Sequence, residues 1–79
     1  MLNTRTVEVY ENEQWRAGTW AELGKGTIFR LLEEDGTIAN PEVAHGIAIA
    51  KGKADLTQVP WVVQCNPYDI ENSKTLSYP

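Results

Sequence analysis

The chain has 79 residues, which bounds it to one small domain with a thin core. Hydrophobic content of 42% is that of a globular protein and excludes a disordered chain. A net charge of −4 argues against general nucleic-acid binding, which needs a basic face to displace counterions, and a single cysteine excludes an internal disulfide.

The first element is a strand over Thr4–Tyr10, where Val7 and Val9 alternate with Thr6, Glu8 and Tyr10. The polar Glu11-Asn12-Glu13 turn returns the chain as a second strand around Trp15, from Gln14 to Ala17, completing a hairpin. Thr19 with Glu22 three residues later has the form of a capping box, so at most a single helical turn is expected near Thr19–Leu23 before Gly24 stops it. Thr27–Glu33 is the strongest strand. Thr27, Phe29 and Leu31 share one face and Ile28, Arg30 and Leu32 the other. Two apolar faces imply a strand buried on both sides, or one whose second face meets another subunit.

Glu34-Asp35-Gly36 is a tight hairpin turn. Thr37–Ala39 starts the return strand, Asn40-Pro41 breaks it, and Glu42–Ala50 resumes it. Lys51-Gly52-Lys53 turns the chain again. Ala54–Val59 is loop or short strand, and Trp61–Cys65 is the last strand, ended by Asn66-Pro67. Residues 1–70 then form one β domain, and 71–79 a flexible polar tail. The expected fold is all-β: a small SH3-like antiparallel barrel or strongly curved sheet of five to six short strands. Two of the three tryptophans, Trp61 and one other, should fill the core. At least one aromatic is left to mark a binding surface.

Gly24-Lys25-Gly26-Thr27 has the look of a phosphate loop but fails as one. Five residues separate Gly18 from Gly24, Gly26 stands where Ser or Thr is needed, and a strand follows instead of a helix. His45 and Cys65, one of each kind, cannot complete a structural zinc site. A Cys65–His45 nucleophile pair lacks a third group to orient the histidine, and Trp61, Val62 and Val63 suggest a core setting for Cys65. Glu33, Glu34 and Asp35 read as a solvated turn. No enzyme activity, metal or cofactor is expected. Lys25, Lys51 and Lys53 lie in two glycine turns. If those turns meet, they form a local basic site able to hold a phosphate.

The hairpin "VEVY…W", the run "WAELGKGTIFRLLEEDG" and the later "NPYDI" are similar to small uncharacterised proteins encoded by bacteriophages and prophages. The residues that carry the resemblance are Leu23, Lys25, Gly26, Phe29, Arg30, Asp35, Gly36 and Asn66–Ile70. It implies a phage accessory protein in the host bacterial cytosol and no catalytic residues. The missing apolar leader or membrane span and the lone cysteine fit that compartment.

The functional expectation is stoichiometric binding: sequestration of a phosphate-bearing, nucleotide-type signal of host defence in the pocket of a homo-oligomer. The expected ligand contacts are Lys25, Arg30, Lys51, Lys53, Trp20 and Tyr68. Two alternatives remain: an inhibitor or adaptor of a host or phage protein, and a minor virion component. General nucleic-acid binding and membrane association are not expected.

Overall fold

In a computed structural model, residues 5–57 and 60–76 are described. The readings made on residues 1–4, 58–59 and 77–79 lie outside that range. The strands are β1 (Thr6–Glu11), β2 (Gln14–Gly18), β3 (Ile28–Leu32), β4 (Ile47–Ala50), β5 (Cys65–Asp69) and β6 (Lys74–Thr75). They form one antiparallel sheet in the order β2-β1-β3-β4-β5-β6, with β2 and β6 at its two open edges. The fold is therefore all-β, as expected, with six strands in an unclosed sheet.

Hairpin chemistry sets the register. Asn12 and Glu13, with φ of 53° and 64°, make a two-residue turn of the kind whose twist matches the strands, so Glu11 closes against Gln14. At the other end of β3, the Glu33 carbonyl accepts from Gly36 N–H, and Gly36 has a φ of 88°. The Asp35 carboxylate accepts from the N–H of Thr37 at 2.9 Å and from its hydroxyl at 2.6 Å, which ties the turn.

Alternation along the strands separates two faces. Val7, Val9 and Phe29 point inward and are buried. Over them pack Trp20 and Leu23, from a single 3-10 turn at Trp20–Glu22, with Trp61, Val63 and Ala54 from the long β4–β5 connection. The expected cap is present: the Glu22 carboxylate accepts from Thr19 N–H at 2.8 Å. Trp20 and Trp61 meet edge to face at 5.9 Å, so these two are the core tryptophans.

Three expectations need correction. The strand placed at Trp61–Cys65 begins only at Cys65, with Val62 bridging Asp55 instead. Pro67 does not end it. Its carbonyl accepts from Leu76 N–H, so its missing N–H lies on the side of the short β6 and costs no bond to β4. Residues 74–75, read as tail, form β6 against Tyr68 and Asp69. The return strand after Gly36 is reduced to a Leu32–Ile38 bridge; Asn40, at a φ of 51°, turns the chain away, and Ala44, His45 and Gly46 run through positive φ before β4 starts.

Candidate functional site

Cross-strand pairing places the outer face in two rows. The first runs Trp15, Tyr10, then Ile28, Ile49 and Asn66, from β2 to β5. The second runs Ala17, Glu8, Arg30 and Ile47, with Tyr68 next on β5. In the first row Trp15, Tyr10, Ile28 and Ile49 are all half-buried. At the Ile49 end lies a shallow depression of about 450 Å³ whose walls include Lys25, Gly26, Ile49, Lys51, Asn66 and Thr75.

The depression exists because two turns meet. Thr27 N–H donates to the Gly24 carbonyl, so Gly24–Thr27 is a β-turn, with Gly26 at the positive φ of 90° that its third position takes. Gly26 N–H then donates to the Ala50 carbonyl at 2.9 Å, and Ala50 N–H to the Thr27 carbonyl at 2.8 Å. These bonds hold Lys25 next to Lys51. They also occupy the N–H groups of Gly26 and Thr27, which a phosphate loop would leave open to its ligand. Gly24 N–H is used as well, on the Thr27 hydroxyl at 3.3 Å. The stretch is a bend into β3, and what it turns toward an anion is the side-chain ammonium groups of Lys25 and Lys51.

The other expected ligand contacts lie elsewhere. Lys53 borders a neighbouring depression of about 220 Å³ with Lys51, Asp55 and Val62. Arg30 is committed within the outer face: it donates to Glu8 at 2.7 Å and lies 4.2 Å over the Trp15 ring. Trp20 is a core residue, 7% exposed, with its indole N–H donated to the Arg5 carbonyl. Thr19 and Leu23 turn it under the sheet, so it cannot reach a surface ligand. Tyr68 lines a separate depression of about 220 Å³ at the opposite end of β4, with His45, Ile47, Asp69, Ile70 and Leu76. Asn66 and Thr75 were missed beside Lys25 and Lys51. No motif marks them, and only the β4–β5–β6 register brings them there.

Cys65 stands at the surface with its thiol partly covered, and burial pushes its pKa up. That disfavours the thiolate a nucleophile needs. Cys65 pairs with Ala50, at the far end of β4 from His45, so the two are on the order of 10 Å or more apart along the strand. Among the described residues, no three His, Cys, Asp or Glu side chains gather as a metal site, and no helix is long and apolar enough to cross a membrane.

No family model matches the chain, and neither a curated protein nor a solved structure matches it.

Proposed function

We propose that the chain is a non-enzymatic, stoichiometric binding protein, a phage accessory of the kind its sequence resembles, that holds a small phosphate-bearing ligand of nucleotide type at Lys25 and Lys51. The observation that carries this reading is the junction of the Gly24–Thr27 turn with Ala50. It brings two lysines distant in sequence to one depression on a chain of net charge −4. Asn66 and Thr75 add neutral polar groups, and Ile49 an apolar wall. That mixture suits an anion attached to an apolar or aromatic body. Titration calorimetry with a panel of cyclic and linear nucleotides tests it. Binding of one member, weakened at least about tenfold by Lys25→Glu and by Lys51→Glu, supports the reading. A panel in which nothing binds removes it.

A second reading, that of a protein adaptor, draws support from Leu56 and Val62. At 40% and 47% exposure they are the large apolar side chains most open to solvent among the described residues, and both lie on the β4–β5 connection. Asp substitutions at both positions would abolish capture of such a partner and leave nucleotide binding intact.

A further inference from the structure

The row Trp15, Tyr10, Ile28, Ile49 crosses four strands on the face opposite the core. None of the four belongs to the buried cluster that Trp20, Leu23 and Trp61 complete on the inner face. We propose that this outer face packs against the same face of a second copy of the chain, the two β3 strands running antiparallel across the interface.

Charge complementarity fixes both the occupant and the orientation. Lys25 and Lys51 sit where β3 begins. Glu34 and Asp35 sit where it ends, roughly 20 Å away at strand rise, next to Glu33, whose carboxylate is already held by Arg5 at 2.8 Å. A copy turned about a two-fold axis that lies in the interface, perpendicular to the strands, sets its acidic turn over the lysines of the first, and the reverse contact follows from symmetry. The charged pair in the middle of the face makes no demand on the partner, because Arg30 is already neutralised by Glu8 and stacked on Trp15. Two copies turned the same way round would oppose lysine to lysine and carboxylate to carboxylate.

Neither sheet edge offers an equal alternative: β6, at one edge, is only two residues long. On β2, Gln14, Arg16 and Gly18 face β1, which leaves the Trp15 and Ala17 backbone groups on the open side. The Arg16 guanidinium donates to the Ala17 carbonyl at 3.1 Å and is itself held by Glu11 and Glu22, each at 2.7 Å. A charged clasp of this kind blunts an edge against strand addition. Copies therefore meet by face. Four short strands make a small interface, of the class in which weak, reversible contacts are found. Its acidic turns cover the ammonium groups that the proposed ligand would use, so ligand and pairing compete. The pairing itself does not depend on the ligand reading.

Sedimentation velocity from about 10 μM to about 1 mM, at low and high salt, tests the proposal. The expected result is a concentration-dependent monomer–dimer equilibrium that weakens with salt. Ile28→Asp should be monomeric throughout with an unchanged far-ultraviolet circular dichroism spectrum. Because that variant could disturb β3 itself, a charge swap provides an independent arm. Lys25→Glu should weaken dimerisation at least about tenfold, and adding Glu34→Lys should restore it. A wild-type chain that stays monomeric at about 1 mM and low salt would overturn the proposal. So would a folded Ile28→Asp variant that still dimerises, or a double charge variant no better than Lys25→Glu alone.

Discussion

Arg30 reaches from β3 to Glu8 on β1, donating from Nε to the carboxylate at 2.7 Å, while its guanidinium carbon lies 4.2 Å from the centre of the Trp15 ring. One side chain thus links three strands on the outer face, and it is less than a quarter exposed. A cation over an indole contributes about 0.5–2 kcal/mol depending on desolvation, and an ion pair in this setting adds little more. Arg30→Ala should cost about 1–2 kcal/mol in urea unfolding. Glu8→Gln, which leaves the stacking intact, should cost visibly less. Equal losses in the two variants would mean that the stacking on Trp15 contributes nothing.

The three tryptophans occupy three settings, which a quenching experiment can separate. Trp20 is buried, Trp61 packs beside it, and Trp15 lies half-buried on the outer face under Arg30. At about 1 μM, below the range of the proposed pairing, acrylamide should therefore quench Trp15 much more readily than Trp20. Trp15→Phe should remove an accessible component, whereas Trp20→Phe should remove a protected one and destabilise the fold. If quenching is unchanged in Trp15→Phe, the two faces of the sheet have been assigned the wrong way round.

Gly46 marks a backbone constraint that composition does not reveal. Its φ is 81°, and an added Cβ would collide with the Ile38 side chain and come within 2.8 Å of the Ala39 carbonyl. Alanine there has both a steric clash and an unfavourable backbone angle to absorb. Gly46→Ala should lose about 2–4 kcal/mol, on the order of 10 °C or more in Tm for a domain of this length. Gly52→Ala, where nothing lies within 4 Å of the added carbon, is the control and should change Tm little.

How far the sequence carried these conclusions follows from the range of the forces involved. Local chemistry was legible: the alternation in Val7 and Val9, the two faces of β3, the Asp35-Gly36 turn and the reciprocal contact of Thr19 with Glu22 each depend on neighbours in the chain. The continuation of β5 through Pro67 was not legible, because proline ends a strand only where its N–H is needed. Whether Pro67 faces β4 or β6 is a property of the sheet. The site divided in the same way. Lys25 and Lys51 were nameable as turn lysines, and their meeting rests on the β3–β4 ladder at Ala50. Trp20 was misplaced because a tryptophan on a polar turn reads as exposed until the fold turns it under the sheet.

Acid should weaken the fold through three surface carboxylates held below their ordinary range. Glu22 is lowered chiefly by the hydrogen bond from Arg16, Asp35 by that from the Thr37 hydroxyl, and Asp69 by that from the Asn72 side chain. For a carboxylate depressed in the folded state, the unfolded chain binds protons first as pH falls. The stabilisation is complete above the unfolded values near 4 and is lost as pH drops through the lower folded ones. Tm should therefore be level near neutrality and decline below about pH 4.5. Asp69→Asn should lower Tm at neutral pH and flatten that decline, since the residue no longer titrates. A decline of unchanged steepness in Asp69→Asn and in Glu22→Gln alike would show that other groups set the acid limb.

Cys65 gives the last expectation, because its exposure and its reactivity point in different directions. The residue is at the surface and is the chain's single cysteine, so an alkylating reagent can reach it without unfolding. Partial burial of the thiol pushes its pKa up, which lowers the thiolate fraction at neutral pH, and only the thiolate attacks. Iodoacetamide should therefore modify the native chain more slowly than it modifies the urea-unfolded chain at pH 7.5, and the native rate should keep rising at pH values where the unfolded rate has levelled. A native rate equal to or above the unfolded one would place a cation or a hydrogen-bond donor beside the sulfur. Burial is what raises the thiol's pKa.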